Sequence, residues 1–349
     1  MSSFVTPKPF FTSATGIQKA GRKAAVCLIV VLISQSASLS AEESAISIHP
    51  QVNVSFANQQ TAKLLLAKRD RFIQNLSPFD RQIRLQASEP ITEAQFLKFI
   101  QEQALDWTPA EKSQMTNILQ DLQPLLSGLK NVWPTKIQLL LTTGREEANA
   151  PHCREASIVL PRAVLQRDAT ALKRLMLHEL FHLLSCHSPL LRRQLYGIVG
   201  FREVQPIDLP KEWVHRKITN PDAPILNCII EIDQNGQQVT VTPVLLTRAT
   251  DYETFENRTL FGELLFQLME VSESEGTWLP KLTEGQINLI NPRRAESYFK
   301  QIGRNTEYVI HPEEVLADNF VHMLMKSSNL ANPEIVEQMQ TILLKASEN

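Results

Sequence analysis

An α+β fold is predicted by three features of this 349-residue sequence. Residues 51–127 carry apolar side chains at spacings of three and four, the periodicity of amphipathic helices. Two short apolar runs, KIQLLLTT (136–143) and REASIVLP (154–161), read as strands and feed directly into a helix. Later, ILNCIIEI and QVTVTPVLL are joined through DQNGQ, whose Asn235-Gly236 favours a tight hairpin turn, before helical spacing resumes at residue 311.

Taken from the start, residues 1–41 hold Lys8, Lys19, Arg22 and Lys23 and no acid, then the apolar run AAVCLIVVLI (24–33), then the small-residue stretch SQSASLSA. Basic, apolar, then small is the order of a secretory signal peptide, with cleavage expected after Ala41. The apolar run is too short to span a bilayer, so the expectation is an exported, periplasmic or extracellular chain without a stable membrane anchor. Removing those basic residues tips the balance of 35 basic to 37 acidic residues further towards acid, which offers nothing to nucleic acid. Cys153, Cys186 and Cys228 remain, an odd number that permits one disulfide. A Cys153–Cys186 bridge pinning the helix between them is one reading, and ordinary buried cysteines are the other.

Residues 42–130 read as a helical N-terminal lobe: TAKLLLAKRDRFIQNL (61–76), ITEAQFLKFIQEQAL (91–105) and TPAEKSQMTNILQDLQPLLSGL (108–129), the last opening on a Thr-Pro helix-entry signal. At Trp133-Pro134 the character changes, and residues 131–349 read as the main domain. SIVLP (157–161) is the candidate for an exposed strand edge able to hold an extended backbone by main-chain hydrogen bonds, with an ordinary core strand as its other reading. Residues 186–310 form a long insertion holding the hairpin, and LLFQLMEV (264–271) is expected to extend its sheet. Helices at HPEEVLADNFVHMLM (311–325) and PEIVEQMQTILLK (333–345) close the chain.

The stretch LMLHELFHLL (175–184), within a helix expected over 169–185, is apolar except for two histidines and a glutamate. On a helical wheel His178, Glu179 and His182 share a wedge of about 100 degrees, and the remaining circumference is apolar. A helix apolar nearly all round is buried. Two imidazoles and a carboxylate would therefore enter an interior where each unpaired polar group costs about 1 to 3 kcal/mol. A zinc ion satisfies them directly: imidazoles at i and i+4 point the same way, and the glutamate between them lies beside the metal's open position as a general base for its bound water.

Two histidines do not complete a catalytic zinc site. No third histidine follows at the spacing HExxHxxGxxH, since the chain after His182 reads LLSCHS. A glutamate on a second helix, with an acid four residues on to orient one imidazole, is the other solution. After His187 only Glu314 with Asp318 has that spacing; its neighbour Glu313 would leave Ala317 in the acid's place. HELFH together with EVLAD resembles the gluzincin branch of the zincin metallopeptidases, the thermolysin-like group with HExxH followed by ExxxD. The resemblance covers the motif segments, and the segment between His182 and Glu314 is longer than in familiar members. It implies a zincin-like core with a twisted sheet above the active-site helix. Residue by residue it implies His178, His182 and Glu314 as zinc ligands, Glu179 as general base and Asp318 as the acid behind a ligating imidazole.

The expectation is thus an exported zinc metallopeptidase acting on a peptide or protein substrate, with Tyr196, Tyr308, His311 and His322 as candidate donors to an oxyanion. The alternative is an inactive zincin-fold binding protein with a structural zinc. A non-metal helical protein whose histidines meet core carboxylates stands behind both.

Overall fold

The computed structural model describes residues 45–249 and 259–348, so the expected signal peptide lies outside the described residues. The chain opens with strands β1 (Ile46–His49) and β2 (Val52–Phe56), then helices α1 (Gln59–Leu66), α2 (Arg71–Asn75), α3 (Pro78–Leu85) and α4 (Glu93–Glu102). The two-residue β3 (Ala104–Leu105) precedes α5 (Pro109–Leu126), β4 (Lys136–Thr142), β5 (His152–Arg154) and β6 (Ser157–Pro161). Helices α6 (Ala169–His187) and α7 (Pro189–Ile198) lead to β7 (Phe201–Glu203), the single turn α8 (Lys211–Val214), and the hairpin β8 (Cys228–Gln234) and β9 (Gln237–Thr247). After the short α9 (Leu260–Glu263) come β10 (Leu264–Ser274), β11 (Thr277–Pro280), β12 (Leu282–Thr283), β13 (Gln286–Ile287) and β14 (Leu289–Ile290). Helices α10 (Glu296–Ile302), α11 (Pro312–Leu324) and α12 (Pro333–Glu348) close the described chain.

This is a mixed α and β molecule, as the sequence predicts at that level. Its first sheet runs β1-β2-β4-β6-β5, with β3 continuing the β2 side of β4. Strands β2, β4 and β6 are parallel, and β5 is antiparallel at the edge. Alternation along β4 sends Ile137, Leu139 and Leu141 to the main core with α5 and α6, and Leu140 to a second core under α1 and α4. The N-terminal segment is therefore not a purely helical lobe. Its β1 and β2 are strands of the same sheet, because β-branched and aromatic residues in VNVSF alternate with polar ones and pair with β4. The expected helix over 61–76 is also two: it breaks at Lys68–Asp70, where the Asp70 side chain caps α2 by accepting from Ile73 N at 3.1 Å. Of the two readings of SIVLP, the ordinary core strand is the one that holds. Strand β6 is buried and paired on both sides, and the outer edge belongs to β5.

In the second sheet, ordered β11-β10-β9-β8-β7, the hairpin expected from DQNGQ forms with Asn235 (φ 56) and Gly236 (φ 83) both in the left-handed region that this tight turn demands. Residues 264–271 extend that sheet as β10. Among the described residues no helix is long and apolar enough to cross a membrane.

One buried ionic network joins the segments. The Arg84 guanidinium donates to Glu147 through Nε (2.7 Å) and Nη2 (2.6 Å), to Asp80, and to the Thr219 carbonyl at 2.9 Å. Asp80 in turn accepts from Thr219 N. A buried ion pair adds little net stability because desolvation offsets attraction, but its geometry is specific, and here it fixes the loop around Thr219 to α3.

Beside this network Glu146 is buried with one oxygen, Oε2, lacking any partner. Burial pushes its pKa up to about 7, despite the hydrogen bond donated by Thr142. The folded value stands above the unfolded one, so its contribution to stability is full below the unfolded pKa and is lost as pH rises through about 7. Glu146→Gln keeps the acceptor for Thr142 and removes the charge. Melting curves from about pH 5 to about pH 8 should show the variant gaining on the natural protein as pH rises; a constant difference would mean that Glu146 ionises as an ordinary surface acid.

Candidate metal centre

Helix α6 starts where the Asp168 side chain accepts from Ala171 N at 2.9 Å. It is sheathed in apolar contacts by Leu172, Met176, Leu177, Leu180, Phe181, Leu183 and Leu184, all buried. Helix α11 starts at His311, whose Nδ1 accepts from Glu313 N at 3.1 Å. Phe181 of α6 meets Phe320 of α11 with ring centres 5.6 Å apart, an aromatic pair that holds the two helices face to face.

This packing brings together the residues the sequence singled out. The donor atoms of His178, His182 and Glu314 lie within 4.8 Å of one another. Glu314 Oε2 is 3.2 Å from His178 Nε2 and 3.6 Å from His182 Nε2. Both imidazoles are oriented from behind: His178 Nδ1 is 3.0 Å from Asp318 Oδ1, and His182 Nδ1 is 3.0 Å from Glu313 Oε1. A carboxylate on Nδ1 keeps a proton there, so that the Nε2 lone pair would be the one offered to an ion bound beside Glu314. Glu313 is thus an orienting residue in its own right, held by Ser185 Oγ at 2.7 Å and by the Tyr196 hydroxyl. Thr306 donates to Asp318, and Asn220 Nδ2 donates to Glu314 Oε1 at 2.6 Å.

The electrostatics are those of a site short of positive charge. Glu179, Glu313, Glu314, Asp318 and Asp222 surround two imidazoles, and none of these acids pairs with a lysine or arginine among the described residues. Burial would lower the histidines, but the hydrogen bonds that His178 donates to Asp318 and Glu314 hold it well above its usual range. At His182 the charges of Asp222 and Glu314 overcome burial and bring it to about 9. Glu314 moves the other way: burial raises it, yet the His182 and His178 interactions and the Asn220 hydrogen bond bring it to about 2. Burial keeps Glu179 raised although both histidines oppose it. Two nitrogen donors and one carboxylate oxygen converging amid surplus acid form a set suited to a divalent cation, zinc in particular.

Of the candidate oxyanion donors, Tyr196 is committed to Glu313, and His322 is tied to Ser327 Oγ and the Asn305 carbonyl, each at 3.0 Å. His311 serves as a helix cap, and burial holds it down at about 4. Tyr308 remains. It stacks on His178 at 6.1 Å, lines a cavity of about 360 Å³ with Glu179 and Glu314, and the charge of Glu314 keeps its phenol protonated. Cys153, Cys186 and Cys228 are free; Cys153 is buried with Sγ 3.3 Å from the Glu179 carbonyl, so the bridge to Cys186 does not form. Sequence reading passed over Asn220, Asp222 and Glu313. The first two sit in a Pro-flanked loop without periodicity, and Glu313 registered only as a competitor to Glu314. No family model, curated protein or solved structure matches this chain.

Zinc titrated into metal-free protein should bind at one equivalent, and Glu314→Ala should abolish stoichiometric binding. Asp318→Asn and Glu313→Gln should each weaken binding by about 10 to 100-fold, as loss of an orienting carboxylate does. Unchanged affinity in Glu313→Gln would reduce that residue to a packing role.

Proposed function

We propose that the protein is a zinc-dependent peptide hydrolase with a zincin-like, gluzincin-type centre, exported from the cytoplasm. The observation that carries this reading is the joint geometry of α6 and α11: His178, His182 and Glu314 converge while Asp318 and Glu313 orient the two imidazoles from behind. His178, His182 and Glu314 would hold the ion. A zinc ion bound there supplies Lewis acidity, polarising a carbonyl and lowering the pKa of water.

Glu179 lies on the same helix between the two histidines and touches no orienting carboxylate. Its raised pKa suits a group that accepts a proton from water and later returns it to a leaving amine. Tyr308, protonated and lining the same cavity, would donate to a developing oxyanion. The edge strand β5 stands beside Glu179 through Cys153. An inactive binding protein with a structural zinc is the weaker reading, because a structural ion needs no base.

Glu179→Gln separates the two. It keeps shape, removes basicity, and should leave zinc content and melting temperature near those of the natural protein. With a peptide mixture as substrate, kcat should fall by about 10² to 10⁴-fold. Undiminished turnover would take the base role from Glu179, and zinc without turnover in the natural protein would favour the binding protein.

A further inference from the structure

Resting on the peptidase reading above, we infer that Asp222 makes the cleft a site for chain ends, its carboxylate receiving the terminal ammonium group of a peptide substrate. The argument begins at the strand edge. Strand β5 turns into β6 through Glu155 (φ 52) and Ala156, with Arg154 opposite Ser157 and Cys153 opposite Ile158. In an antiparallel hairpin closed by two residues, the flanking pair is hydrogen-bonded and the next pair is not, so the Cys153 amide points outward. That amide is what an added substrate strand would use. Asp222 already takes it, with Oδ1 2.7 Å from Cys153 N.

The loop carrying Asp222 is a wall. Its root at Thr219 is held by Asp80 and Arg84 in the buried network, and Lys217 Nζ donates to Thr219 Oγ1 at 2.9 Å. Asn220 is fastened to Glu314, and Asn220 Oδ1 accepts from Asp222 N at 3.1 Å. Asp222 lines both the cavity of about 360 Å³ that holds His178, Glu179 and Glu314 and the neighbouring one of about 500 Å³ that holds His182 and Arg154. A backbone running along β5 past Glu179 would have to cross this residue. The groove therefore ends at the reacting groups.

A carboxylate selects which end arrives. Asp222 has a second oxygen beyond the one on Cys153, and its carboxylate lies within 4.8 Å of an oxygen of Glu179. Burial and the charges of Glu179 and Glu314 push its pKa well above the usual range although His182 opposes them, and no lysine or arginine pairs with it among the described residues, so an arriving cation is what would hold it ionised. A terminal carboxylate would be repelled there. A terminal amine, with an ordinary pKa of about 8, arrives charged at neutral pH with three N–H donors. The site then removes residues from the amino terminus.

The test uses the zinc-loaded full chain carrying Glu179→Gln, titrated calorimetrically with pentaalanine, N-acetyl-pentaalanine and C-terminally amidated pentaalanine. The free-amine peptides should both bind at least about tenfold tighter than the acetylated one, the scale of one charged hydrogen bond. Adding Asp222→Asn, which still accepts from Cys153 N, should erase that difference. The unsubstituted protein should release single alanine from pentaalanine. Equal binding of free and acetylated peptides, no binding of either, or a second zinc equivalent held by Cys153, Glu179 and Asp222 would overturn the inference. Cleavage of the acetylated peptide at internal bonds would overturn it and leave the peptidase reading intact. Amine-selective binding without any turnover would do the reverse.

Discussion

The structure depends on one constraint: the Met176–Ser185 stretch of α6 is buried except at a partly exposed His178, yet it carries two imidazoles and a carboxylate that the interior cannot leave unsatisfied. An apolar partner helix would strand them at about 1 to 3 kcal/mol each. Helix α11 answers with Glu313, Glu314 and Asp318 on the face it turns to α6, while Phe320 supplies the apolar contact beside them. The division of labour follows from helical geometry. Glu314 and Asp318, four apart, reach both nitrogens of His178, and Glu313 reaches His182 from the adjoining position.

That arrangement overshoots in charge. Two imidazoles cannot neutralise the acids around them, and the tension is visible in Glu314 held at about 2 while His182 rises to about 9. An interior rarely keeps such a surplus unless a cation belongs there. Asp318 and Glu313 matter because they leave Nε2 of each histidine facing the same oxygen of Glu314. The proposed zinc and the proposed base at Glu179 follow from this one patch of two helices.

The remainder of the fold bears on the site through its walls. The first sheet contributes the antiparallel edge β5 and its Cys153, next to Glu179. The segment between α6 and α11 contributes more than a second sheet, since its Thr219–Ala223 stretch crosses to the centre and is tied at one end to α3 and at the other to β5. The Asp80–Arg84–Glu147 network is where the N-terminal segment reaches the site. Its specific geometry places a loop, which hydrophobic packing alone would leave free to settle elsewhere.

What the sequence by itself determined is whatever repeats along one element. The i, i+4 spacing of His178 and His182, the i, i+4 spacing of Glu314 and Asp318, the apolar circumference of α6 and the Asn235-Gly236 turn are local patterns, and the structure brings the first two together. Helices read beyond their ends wherever a capping side chain interrupted an apolar period, as at Asp70, because capping competes with periodicity over only a few residues. Tertiary structure alone decided three things. It gave β1 and β2 their place in the first sheet, since a strand's partner is set by pairing and not by its own residues. It turned Glu313 from a rival ligand into the group that orients His182, because only the crossing of α6 and α11 says which nitrogen it meets. It brought Asn220 and Asp222 to the centre from a loop with no periodicity, where position is written in the partners, Asp80, Glu314 and the Cys153 amide, rather than in the loop itself.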